Sequence, residues 1–78
     1  ISDIFEQIKS KLMIENLNIT ELVEQQDKNG RFYSFIQISD RDKTYHAFSW
    51  GDSLFRSNIQ SIILCFQSLL ISKKFVGA

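Results

Sequence analysis

The chain has 78 residues, with nine basic and nine acidic side chains and a formal net charge of zero. That length holds one domain and one core, and so small a domain buries only roughly 60% of the surface its unfolded chain exposes. Neutrality argues against a bare polyanion as partner, and a single cysteine, Cys65, excludes an internal disulfide or a zinc site built on cysteines.

The first segment, Asp3 to about Asn16, has helical spacing. Ile4, Phe5, Ile8 and Leu12 fall on one stripe, with Lys9 and Lys11 outside it. Ser2 or Asp3 is the expected N-cap, and Asp3 with Glu6 has the form of a capping box. Asn16 to Asn18 is the expected end.

Three strand-like runs follow. The first is about Ile19 to Gln25. Asp27-Lys28-Asn29-Gly30 then supplies turn chemistry, since Asn29 and Gly30 both tolerate positive φ. The second run, Arg31 to Ser39, is rich in aromatic and β-branched residues. Asp40-Arg41-Asp42-Lys43 predicts a second tight turn. The third run is Thr44 to Trp50, closed by Gly51-Asp52. Short connections mean antiparallel neighbours, so the runs predict a three-stranded meander.

A two-residue turn pairing Asp40 with Lys43 fixes a register. Tyr33 then faces Trp50, Phe35 faces Phe48 and Gln37 faces His46 on one side of the sheet. Ile36 faces Ala47 and Ile38 faces Tyr45 on the other. Both faces are apolar, so either the two helices cover opposite faces or one face is a contact surface. A bulge at Gly30 would flip the side chains of the first strand, which leaves its register open.

The last segment is helical. Ser57-Asn58-Ile59-Gln60 has the Ser-x-x-Gln form of a capping box and places Ser57 at the N-cap. Ile59, Ile62, Ile63, Phe66, Leu69 and Leu70 form a wide apolar face, which Leu64, Cys65 and Ile71 extend most of the way round. Such a helix is expected to be buried on nearly all sides, part of it against another copy or another protein. Its apolar stretch, Ile59 to Ile71, is broken by Gln60, Ser61, Gln67 and Ser68. It falls short of the about twenty residues of a membrane span, so no membrane is expected. Lys73-Lys74 suit the negative end of the helix dipole.

No proline, repeat or linker divides the chain, so residues 1–78 are expected to form a single α+β domain of order α-β-β-β-α. The start, Ile1-Ser2-Asp3-Ile4, has no basic segment followed by an apolar one and so no signal-peptide pattern. With a lone thiol, this predicts the cytoplasm. The absence of an initial methionine fits a trimmed terminus or a piece of a longer chain.

Candidate chemistry is sparse. His46 is the single histidine, and Gln37, not an acid, stands opposite it, so no catalytic or ligand role is assigned. Cys65 lies between Leu64 and Phe66 and is expected to be a buried, unreactive thiol. Asp40, Asp42 and Asp52 lack the glycine and closing glutamate of a calcium loop and are expected to be turn formers. The three glycines are isolated, so no phosphate loop exists. No catalytic, metal or cofactor site is expected, and the chain is not expected to be an enzyme.

The aromatic set Tyr33, Phe35, Phe48 and Trp50 is the most informative feature. Its first reading is core packing. The second is a protein-contact patch, since such residues enrich interfaces. The third is base stacking, for which only Arg31, Arg41 and Lys43 lie nearby as cations.

The order helix, three-stranded meander, helix resembles that of double-stranded RNA-binding domains. Those domains grip phosphates with lysines at the start of the second helix, where this chain has only Arg56, so their activity is not carried over. The stretch from Trp50 to Leu70, about a third of the chain, resembles the end of an uncharacterised family of short bacterial proteins. There a meander leads into a helix opening Asp-Ser-hydrophobic-Gln-Ala-Leu. Ser57-Asn58-Ile59-Gln60-Ser61-Ile62 and then Cys65-Phe66 match that run, with Ser57 and Asn58 in place of the acid and serine and Ser61 in place of alanine. The resemblance implies bacterial or phage origin and no activity.

The resulting expectation is a non-enzymatic protein-binding module of the immunity, antitoxin or inhibitor kind. It would use Tyr33, Phe35, Phe48 and Trp50 on the sheet, or Leu64 and Ile71 on the last helix, and could form a homodimer. The alternative is a nucleic-acid-binding domain using the aromatic sheet face.

Overall fold

A computed structural model describes the backbone of residues 2–41 and 43–76 and the side chains of residues 3–41 and 43–72. The elements are α1 (Ser2–Lys11), β1 (Leu17–Gln26), β2 (Phe32–Asp40), β3 (Lys43–Gly51) and α2 (Leu54–Val76). The strands form one antiparallel sheet in the order β1-β2-β3, so the fold is α+β with the order α-β-β-β-α.

Helix α1 stops earlier than its spacing predicts. The Met13 amide donates to the Ser10 carbonyl at 3.1 Å and the Ile14 amide to the Lys9 carbonyl at 3.0 Å. This pair of bonds closes the helix while Met13 takes a left-handed φ of 56°. Glycine normally fills that position, and a methionine there gives no stop signal in the sequence. Asn16, with φ 59°, turns the chain again, and the stop delivers Ile14 and Leu17 into the core. Asp3 lies inside the first turn instead of preceding the helix.

The β1–β2 turn is built on Asp27. Its Oδ1 accepts the Asn29 and Arg31 amides, both at 2.9 Å, and its carbonyl accepts the Gly30 amide at 3.2 Å. Gly30 alone in this turn is left-handed, at φ 84°. The irregularity of β1 sits elsewhere than at Gly30. The register shifts between Ile19 and Glu21, where the Thr20 hydroxyl donates to the Gln37 carbonyl at 3.1 Å. That bulge puts Leu17, Ile19 and Leu22 on one face and Glu21, Val23 and Gln25 on the other. The register of β2 and β3 is the expected one, from Asp40↔Lys43 to Tyr33↔Trp50. Arg41 opens their turn with φ 55°, and Asp42 lies outside the described residues.

Both helices lie on one face of the sheet. The Phe5 ring of α1 meets the Phe66 ring of α2, centroids 5.6 Å apart, above Ile36 and Ile38 of β2. Tyr45 and Ala47 of β3 pack against the same cluster.

Helix α2 corrects two expectations. Its N-cap is Ser53, whose Oγ accepts the Arg56 amide at 3.2 Å, and Ser57 lies one turn inside the helix. Ser57 is drawn inward because its hydroxyl meets Ser34 Oγ at 2.7 Å. Over its described side chains, residues 54–72, the helix is also buried on one side only. That side carries Ser57, Asn58, Ser61, Ile62, Cys65, Phe66 and Leu69, while Ile63, Leu64, Leu70 and Ile71 are exposed. Ser57, Ser61 and Cys65 recur every four residues, and their small size lets the helix lie close on β2. Gly51 belongs to the same close approach, since a Cβ there would stand 3.1 Å from the Ser57 amide. Residues 54–72 are long and apolar enough to cross a membrane by length and composition. In this structure their serine-lined side is bonded to the sheet. Lys73 and Lys74 continue the helix, and their side chains lie outside the described residues.

Candidate functional site

With both helices on one face, the other face of the sheet is open. Beyond a polar row of Asn18, Ser39 and Thr44, strand alternation and the Thr20 bulge place three further rows of side chains on it. One row is Glu21, Gln37 and His46. The middle row is Val23, Phe35 and Phe48. The third is Gln25, Tyr33 and Trp50.

The aromatic side chains brace one another. Tyr33 and Phe48 stack diagonally with centroids 5.7 Å apart, and the Phe35 ring meets the His46 ring at 5.9 Å. The Arg31 guanidinium lies over the Trp50 ring, 4.8 Å from its centroid. The Tyr33 hydroxyl donates to Asp27 Oδ2 at 3.0 Å, which ties the face to the β1–β2 turn. That bond raises the Tyr33 pKa. Hydrogen bonds hold Asp27 below its ordinary value, first from the Arg31 amide, then from Tyr33 and Asn29.

This placement corrects the core-packing reading of the aromatic set. Phe48 is 62% exposed and Trp50 55%, while Tyr33 and Phe35 are half-buried by their neighbours on the same face. Large rings pack inside only when a second layer covers them, and both helices are on the far side. Leu64 and Ile71 are exposed as well, at 37% and 57%. They belong to α2, beyond the sheet, where Ile59, Ile63 and Leu64 line a shallow depression with Arg56, Gln60 and Gln67. The six residues singled out from the sequence therefore form two separate surfaces.

Sequence reasoning missed the polar seam between α2 and the sheet. Ser34 Oγ contacts both Ser57 Oγ and Asn58 Oδ1, and the Asn58 amide donates to Glu24 Oε2 at 2.8 Å. The Ser61 hydroxyl donates to the Ser34 carbonyl at 3.1 Å, and Ser57 Oγ also lies 3.0 Å from the Leu54 carbonyl. Among the described residues no buried side-chain nitrogen or oxygen lacks a partner. The available signal was the four-residue spacing of Ser57, Ser61 and Cys65, which reads as a small-residue face once Ser57 is not assigned to the cap. The seam holds no histidine, and its carboxylate, Glu24, accepts from the Asn58 amide. What the seam does chemically is hold α2 in register on β2.

The remaining candidates stay apart. Cys65 is fully buried, its thiol directed at the Ile36 carbonyl at 3.6 Å, and burial pushes its pKa up to about 11. Asp52 pairs with Arg56 at 3.6 Å on the surface. Among the described residues no three histidine, cysteine or acidic side chains are grouped to hold a metal ion.

No family model, no curated protein and no solved structure matches this chain.

Proposed function

We propose that the chain is a non-enzymatic protein-binding module whose contact surface is the open face of the sheet. The observation that carries this reading is the aromatic patch of Phe48 and Trp50, exposed while both helices cover the opposite face. Exposed tryptophan and phenylalanine, with a half-buried tyrosine and an arginine beside them, have the composition of an interface core. The row of Glu21 and His46 supplies a polar rim. A module of this size acts by occluding its partner, as an immunity protein, antitoxin or inhibitor does.

The test is capture by immobilised protein from a bacterial lysate, comparing the parent with a Phe48→Ser, Trp50→Ser variant. Both side chains are exposed, so the variant is expected to fold, which circular dichroism verifies. A protein retained by the parent and lost by the folded variant is the expected result. Equal retention by both would remove the sheet face as the contact surface.

A second reading draws on the same residues. Phe48 and Trp50, with Arg31 over the indole, offer stacking platforms for single-stranded nucleic acid. It requires oligonucleotide binding that weakens steeply with salt.

A further inference from the structure

We infer that α1 is a releasable lid, which undocks and unwinds as one unit while the sheet and α2 stay folded, and so uncovers the Phe66 ring. The inference concerns the covered side of the sheet and does not depend on the contact-surface reading above.

The argument comes from how differently the two helices are held. Helix α2 is fixed by apolar burial and by polar bonds together. Ile62, Cys65, Phe66 and Leu69 are buried. The Ser61 hydroxyl donates to the Ser34 carbonyl of β2, and the Asn58 amide donates to Glu24 of β1. These ties make α2 and the sheet one cooperative unit.

Helix α1 has one anchor. Phe5 is its single fully buried side chain among the described residues, while Ile4 and Ile8 are half-buried. Among the described residues no α1 side chain bonds to the sheet or to α2, and the Lys9–Glu6 pair at 3.8 Å lies within the helix. Undocking therefore strands no polar group. What it breaks is chiefly the contact of the Phe5 ring with Phe66, centroids 5.6 Å apart, and with the neighbouring core.

The chain also sets where the lid hinges. Ten residues fall short of the about 12 to 15 that an isolated helix needs, so α1 unwinds once it undocks. Met13 holds a left-handed φ of 56°, a conformation that favours glycine, and unwinding relieves it. Its side chain is 88% exposed, so no packing of its own keeps that turn closed. Leu17 is fully buried and pairs with Asp40, which fixes the start of β1. The hinge is therefore the segment 12–16. Release of α1 opens the core cluster at Phe66, on the side of the sheet opposite the aromatic patch. That apolar surface, unlike the patch, is available only while the lid is open.

The experiment is amide hydrogen exchange followed by nuclear magnetic resonance on the full chain, at urea concentrations below the unfolding transition. It compares the parent with Phe5→Ala and Ile36→Val. In the parent, the amides of Ile8 to Leu12 and of Ile14 are expected to exchange as a group, on the order of 100-fold faster than the most protected amides of β2 and α2. Their exchange is expected to rise with urea along one shared, shallow slope, since the lid exposes less surface than global unfolding. Ile36→Val weakens the sheet–α2 unit and is expected to speed its exchange about fivefold, with α1 unchanged. Phe5→Ala removes the latch. Its α1 amides are expected to lose protection while those of β2 and α2 keep theirs, which is the open form held at equilibrium. Parent α1 amides that share the rate and slope of β2 and α2 would overturn the inference. So would α1 amides that exchange independently of urea in a gradient along the helix, since that is fraying. A Phe5→Ala chain that loses protection in the sheet together with α1, or that keeps α1 protected, would overturn it as well.

Discussion

The two faces of the sheet are made by the same strands and differ in what fills them. Along β2 the covered face presents Ser34, Ile36 and Ile38, all nearly inaccessible. The open face presents Tyr33, Phe35 and Gln37, which only their neighbours shield. The larger apolar rings are thus on the side without a second layer. What decides burial is which face admits a helix at close range. Serine and cysteine at the contact let α2 lie on β2, where rings would hold it away. Side-chain size alone would have put the core on the wrong side.

The comparison is broken most directly by truncating one residue on each face. Ile36 is fully buried beneath α2, so Ile36→Ala is expected to lose about 3 kcal/mol of folding stability. Phe48→Ala removes a larger side chain and is expected to cost under about 1 kcal/mol, chiefly its cross-strand ring contact. Urea unfolding followed by circular dichroism, with equal slopes for parent and variants, measures both. Comparable losses would mean that the open face is part of the folding core.

A smaller effect sharpens the role of the polar seam. Ser61 is fully buried with its hydroxyl on the Ser34 carbonyl, so Ser61→Leu adds volume where α2 lies closest to β2. The expected cost is about 2 kcal/mol. Leu64→Ser, on the exposed side of the same helix, is expected to change stability by less than about 0.5 kcal/mol. If the two substitutions were equivalent by urea unfolding, close helix–sheet packing would not be what orients α2.

Much of the fold is legible in the sequence for physical reasons that these faces make plain. Strand alternation and the two-residue turn from Asp40 to Lys43 fix the β2–β3 register, because each pairing follows from the first. Turn position, by contrast, does not reveal the bulge at Thr20, since no glycine or proline marks it. The Met13 stop is hidden because a methionine occupies a conformation that favours glycine. The cap of α2 lies one turn before the expected Ser57, because Ser53 and Ser57 are chemically equal as caps. Only the contact of Ser57 with Ser34, from a distant strand, distinguishes them. The same tertiary contact rotates the buried side of α2 toward serines that hydropathy counts as polar. The four aromatic residues of the site were visible, and their shared face followed from alternation. That the face is open required knowing that Phe5 of α1 meets Phe66 of α2 on the other side.

The smallest expected effect concerns how the open face is held without burial. Tyr33 is anchored through its hydroxyl to Asp27, and Asp27 also closes the β1–β2 turn. The Arg31 amide, the Tyr33 hydroxyl and the Asn29 amide bond the carboxylate and hold its pKa below the ordinary 3.8. Folding therefore favours the ionised form, and this contribution is present above pH 3.8 and is lost as pH falls through the depressed value. For Tyr33 the sign is opposite. Its bond to Asp27 raises the pKa above the ordinary 10.0, so its contribution is present below that value and is lost as pH rises through the raised one. Asp27→Asn keeps an acceptor for the turn and removes the charge, so it is expected to fold with reduced stability. The difference between parent and variant in urea unfolding is expected to be level from about pH 5 to about pH 9 and to shrink toward both extremes. A difference that persisted unchanged down to about pH 2 would show that the turn depends on the shape of the Asp27 side chain and not on its charge. The open face would then be anchored by a neutral contact, and the ion-assisted bond to Tyr33 would have no part in ordering it.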